Sequence, residues 1–146
     1  MSGAAGSYFV VRELERRAVN AHALCRLLRE CSEQVEYFSR SAADILSNCD
    51  ISLLQDCGYY ANKAPDSFLE LFESCEILCP KSRAIVLEFA RDFGKNYREE
   101  QIKRCRYYLE RMCTQESELN SALPTQKKLA FSLLLSLTLI AVILLV

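Results

Sequence analysis

Apolar residues recur at Leu14, Ala18, Ala21, Cys25, Leu28, Cys31, Val35 and Phe38. The steps are threes and fours, the period of an α-helix with one buried stripe. Arg12, Glu13, Glu15 and Arg16 fall off that stripe. No Gly or Pro occurs between Ser7 and Cys57. The pattern predicts two helices here or one long bent one, with the break point open. Short helices should continue over 45–60. Pro65 suits the first turn of a helix carrying Phe68, Leu69, Leu71 and Phe72. Cys79-Pro80 restarts the chain for a helix with Ile85, Val86, Phe89 and Phe93 on one face, which Gly94 ends. Asn96 with Glu99 three residues on has the form of a capping box. The helix it opens runs through Ile102, Cys105, Leu109 and Met112.

The pattern changes at residue 129. Residues 129–146 read LAFSLLLSLTLIAVILLV, without a charge. As a helix they would extend roughly 27 Å, about the thickness of a hydrocarbon core. Ser132, Ser136 and Thr138 can bond to their own helix carbonyls. Lys127 and Lys128 precede the stretch on the expected cytosolic side. The reading is a C-terminal transmembrane tail anchor at 129–146, a polar linker at 114–128 containing Pro124, and one helical domain at 1–113.

Composition narrows the class. The 18 basic and 19 acidic residues leave a net charge of −1, which gives no footprint for nucleic acid. Four Gly and three Pro argue against a turn-rich all-β fold and against disorder, so the class is all-α. The start of the chain lacks the apolar run of a secretory signal. The eight cysteines are therefore expected as mostly free, buried thiols rather than disulfides. Zinc is the other reading, but no CxxC pair occurs and His22 is the single histidine, so no metal and no cofactor are expected.

No GxGxxG, P-loop, GxSxG or HExxH motif occurs. A Cys–His or Ser–His pair would have to use His22, which reads as a surface or half-buried residue of an amphipathic helix. Glu99-Glu100 and Glu116 with Glu118 read as solvated faces. The expectation is a binding protein and not an enzyme.

Within 24–35, apolar Leu24, Leu28, Cys31 and Val35 form one stripe, with small Ser32 and acidic Glu33 between them. This resembles the third homology motif (BH3) of the B-cell-lymphoma-two (Bcl-2) apoptosis regulators, with Ser and Glu in place of the usual Gly and Asp. Further stretches resemble that family in order: 39–52, then Glu70-Leu71-Phe72, then 83–89, then Asp92-Phe93-Gly94, and last the tail. The chain has no Trp, so the Trp-Gly pair of the first motif is absent, and the second motif is not recognisable between 113 and 124. The departures fit a divergent, truncated member such as a viral homologue.

The resemblance implies a Bcl-2-like helical bundle around a central hydrophobic helix at 82–93. It implies a surface groove for the BH3 helices of pro-apoptotic proteins, held in an intracellular membrane, either the mitochondrial outer membrane or the endoplasmic reticulum. Phe38, Leu46, Phe68, Leu71, Phe72, Ile85, Val86 and Phe89 are the candidates for groove or core, two roles left open. Arg83 is the candidate partner for the ligand's acid. The implied function is regulation of apoptosis, by inhibition, and a homodimer is allowed. The alternatives are a pro-apoptotic member exposing 24–35 as its own ligand helix, and a tail-anchored trafficking protein of the membrane-fusion (SNARE) type. The latter needs heptads before the anchor, where Pro124 interrupts.

Overall fold

A computed structural model describes residues 2–77 and 79–146, without the side chains of 2–5, 7, 123–127 and 130. Among the described residues there are six helices: α1 (Ser2–Phe38), α2 (Ala42–Ser47), α3 (Ile51–Asp56), α4 (Phe68–Ser74), α5 (Pro80–Asp92) and α6 (Arg98–Leu145). The all-helical class is as expected from the sequence.

Two long helices organise the molecule. α1 buries Ala18, Ala21, Cys25, Leu28, Ser32 and Val35, and α6 buries Gln101, Cys105, Tyr108, Met112 and Gln115. Both sets alternate steps of three and four, the spacing of a coiled-coil seam. Pairing is antiparallel, because His22 meets Glu116 across 2.6 Å while Arg106 near the other end reaches Glu36 across 2.6 Å. Ala, Ser and Cys occupy much of the α1 seam, which lets the backbones approach. A second face of α1 is buried as well, through Ala23, Leu24, Leu27 and Cys31. Asn20 belongs to it, its Nδ2 donating to the Cys57 carbonyl at 3.0 Å at the end of α3.

The short helices close that second face. Ser41 caps α2 by accepting from the Asp44 N–H, and Asp50 caps α3 through Ser52. Gly58 has φ +101°, and its carbonyl accepts from the Glu76 N–H at 3.1 Å, tying the loop after α3 to the end of α4. A Cβ at Gly58 would lie 2.5 Å from the Glu76 carbonyl oxygen. α4 and α5 pack through rings: Phe68 lies 4.7 Å from Phe93 and 5.1 Å from Phe89, and Phe89 lies 5.9 Å from Tyr108 of α6.

Several expectations need correction. The architecture is a long antiparallel hairpin with small helices on one side, so α5 is one flank of the core and not the centre of a Bcl-2-like bundle. Pro65 lies before α4, whose cap is Ser67. Asn96 does not cap α6; Tyr97 holds that position without a side-chain hydrogen bond. The expected linker at 114–128 is helical, and Gln115 within it is buried with its Nε2 donating to Cys79 Sγ.

The expected transmembrane anchor is corrected too. Among the described residues no helix is long and apolar enough to cross a membrane. The expected span includes Ala130, whose side chain lies outside the described residues. Phe131, Leu139 and Ile143 of that span are exposed.

Two predictions follow from the core. Phe89→Ala removes the ring shared by α4, α5 and α6, and should cost about 3–5 kcal/mol in urea unfolding. The buried thiols also make stability depend on pH. Burial, with Glu30 close by, lifts Cys49 to about 11, and burial lifts Cys25 and Cys75 to about 12, against an ordinary 9.0. The unfolded chain therefore loses these protons first. Their contribution is fully present below pH 9 and is lost as pH rises from there through about 12. The urea midpoint should be lower near pH 10.5 than near pH 8.

Candidate interaction surface

Most of the residues picked out by the sequence lie inside. Leu24, Leu28, Cys31, Ser32 and Val35 are buried, and Glu33 is exposed. The 24–35 segment is thus part of the hairpin core and is not displayed as a ligand helix. Leu46, Phe68, Leu71, Phe72, Ile85, Val86 and Phe89 are buried in the core. Arg83 is half-buried on α5, close enough to Cys75 for its charge to act on that thiol. Phe38 differs from the rest, being 62% exposed at the end of α1.

Phe38 marks the closed tip of the hairpin. α1 ends because Ser39 turns into the left-handed region at φ 50°. Gly94, at φ 84°, ends α5 in the same conformation, which suits a residue without Cβ. The two turns flank a cavity of about 390 Å³ lined by Val35, Ser39, Arg40, Ala42, Phe93, Asn96, Arg98 and Gln101, among others. Buried Gln101 fixes its geometry: Oε1 accepts from the Gly94 N–H at 2.9 Å, and Nε2 donates to Cys105 Sγ at 3.5 Å. Asn96 Nδ2 is buried with no hydrogen-bond partner among the described residues.

Arg40 and Arg98 line the cavity, and Tyr37, Phe38 and Tyr97 stand close to its lining residues in the chain. The Arg40 guanidinium sits 5.2 Å over the Phe38 ring. Arg98 donates to the Glu36 carbonyl at 2.7 Å, which joins the start of α6 to the end of α1. Tyr37 is 70% exposed and Tyr97 93%. Exposed Tyr and Phe in the same two turns as Arg40 and Arg98 give the composition enriched at protein–protein hot spots.

A larger cavity of about 460 Å³ lies between α5 and α6, lined by Lys81, Ile85, Tyr107, Arg111 and Glu118. Its cations are already paired: Lys81 with Glu118 at 3.7 Å, and Arg111 with Glu88. Opening it to a ligand would break those pairs, so the tip is the better candidate.

Reactive groups offer less. His22 is exposed and occupied by Glu116. Among the described residues, no group of three or more His, Cys, Asp or Glu could hold a metal ion. Burial acts to raise the Cys79 thiol, but N–H groups of Ser82 and Lys81 at the start of α5 outweigh it and lower the thiol below its ordinary value. The sequence signal was present in Cys79-Pro80, a cysteine set just before a helix start.

The family model for stage III sporulation protein AB matches residues 1–146. No curated protein and no solved structure matches the chain. A bacterial sporulation family over the whole length overturns the Bcl-2 resemblance. With it go the apoptotic role, in either direction, the BH3 partners and the SNARE-type alternative. A mitochondrial or endoplasmic-reticulum location and a viral origin have no support in such a family. The motif matches failed because an apolar stripe with a small residue and an acid also describes a coiled-coil seam.

The tip can be tested for stability before function. Gln101→Leu leaves the Gly94 N–H without its acceptor and should cost about 1–3 kcal/mol in urea unfolding. Phe38→Ala and Tyr97→Ala change exposed rings and should stay within about 0.5 kcal/mol of the parent.

Proposed function

The chain belongs to the stage III sporulation protein AB family, and from that premise we propose that it serves bacterial sporulation as a non-catalytic helical adaptor whose hairpin tip holds another protein. The observation that carries the reading is the tip itself, a largely apolar cavity of about 390 Å³ lined by Arg40 and Arg98, with exposed Phe38 and Tyr97 next to its lining residues in the chain. The rings supply area with little side-chain entropy to lose. The guanidinium groups supply charge-assisted donors to a partner's carbonyls or carboxylates.

The scaffold suits such a task. The tip is built where the two longest helices come together, and Gln101 and Arg98 tie its turns to the hairpin. A binding surface on rigid elements needs little ordering when a partner arrives. The chemistry against catalysis points the same way, since burial lifts most of the cysteines whose shifts are resolved and the histidine is held by a hydrogen bond to Glu116.

The test replaces the chromosomal copy in a sporulating bacterium with Tyr97→Ala, Phe38→Ala or the double variant. Heat-resistant spores should fall at least tenfold in the double variant while protein level and melting temperature stay unchanged. A photo-crosslinker at position 97 should trap one protein during sporulation, and Arg40→Ala should weaken that product. Normal spore yield from a stable double variant, with no crosslinked protein, would sink the adaptor reading.

A further inference from the structure

One place on the α1–α6 seam joins two thiols from opposite helices. Cys25 comes from α1 and Cys113 from α6. Arg29 Nη2 lies 3.8 Å from Cys25 Sγ and 3.7 Å from Cys113 Sγ. One nitrogen therefore touches both sulfurs. Burial, Cys113 and Glu116 all act to keep the Cys25 thiol protonated. Both cysteines are free in the structure, Cys25 buried and Cys113 half-buried at the seam's edge. From this arrangement we propose that Cys25 and Cys113 form a redox pair, which a small-molecule disulfide converts into a disulfide stapling α1 to α6.

The order of events follows from access. Cys113 is the thiol that solvent can reach, so its thiolate attacks one sulfur of the incoming disulfide and expels a small thiolate. This leaves Cys113 in a mixed disulfide. Cys25 then gives up its proton, and its thiolate attacks the Cys113 sulfur. The bond to the small molecule breaks and the Cys25–Cys113 bond forms. Two protein thiols are oxidised, one small disulfide is reduced to two thiols, and the protons end on those thiols. Arg29 lies beside both sulfurs, while burial holds the Cys25 thiol up at about 12, so closure runs faster as pH rises. Cys31 and Cys57 have no such access, being fully enclosed in the core.

The staple would join two helices at positions far apart in the chain, where a cross-link restrains the unfolded state most. It would act on the pairing that organises the fold and would not touch the tip.

The full-length chain, kept in mild detergent, is treated with oxidised glutathione, alkylated, and digested with trypsin without reduction. Cleavage at arginine and lysine places Cys25 in residues 18–26 and Cys113 in residues 112–127. The expected result is a disulfide joining those two peptides. Oxidation should raise the melting temperature by roughly 10 °C, and reductant should reverse the rise. Cys113→Ser changes a half-buried residue, and should fold and show no rise with oxidant. Any of three outcomes overturns the pair: Cys25 and Cys113 alkylated separately, Cys113 capped by glutathione without closure, or either cysteine bridged elsewhere. The peptide map reads the wild-type chain, so it decides the matter even if Cys25→Ser proves unstable.

Discussion

The antiparallel contact between α1 and α6 is the constraint on which the structure rests. Each helix carries an apolar face, and each supplies the surface that the other needs to cover it. The seam is made of modest residues. Ala18, Ala21, Cys25 and Ser32 face the α6 pairing, and two of the buried α6 positions are glutamines. Small side chains contribute less per residue than leucines but allow close approach, so many weak contacts accumulate along a long line. The polar contacts at its two ends, His22–Glu116 and Arg106–Glu36, specify direction and register more than they stabilise.

Everything between the long helices is arranged by this pairing. α1 is buried on two sides, and its second side is where Leu24, Leu27 and Cys31 meet the core. The short helices are held to it by single well-placed groups. Asn20 reaches the end of α3, and the Gly58 carbonyl reaches Glu76. The phenylalanines of α4 and α5 then fill the space towards Tyr108. The tip inherits its shape from the same geometry, because the two helices must be capped and turned where they end.

The elements were largely legible in the sequence. The steps from Leu14 to Val35 gave a helix with a stripe, Pro80 marked the start of α5, and Gly94 marked its end. Harder to read was what the stripe faces. An apolar line at helical spacing is the same whether its partner is a neighbouring helix of the chain or a separate protein, and this is why 24–35 read as a ligand motif. The α1 break at Ser39 had no glycine to announce it. Asn96 and Glu99 formed a good capping pattern, but the turn held by Gln101 places Tyr97 at the cap instead. The tip was represented only by Phe38, grouped with residues that prove to be core, because exposure depends on where two distant turns meet.

The pairing also decides how the chain can reach this fold. His22 and Glu116 stand 94 positions apart, and Arg106 meets Glu36 from 70 positions away. Contacts at such separation come only after a large loss of chain freedom, whereas the contacts among α3, α4 and α5 are closer in sequence. During synthesis α1 must therefore leave the ribosome and wait with its seam face uncovered until α6 has been made. At about 5–20 residues per second that wait lasts several seconds. Over that interval the early chain is an open template for the wrong partner, and the polar and small residues along its seam limit how tightly a wrong partner can hold.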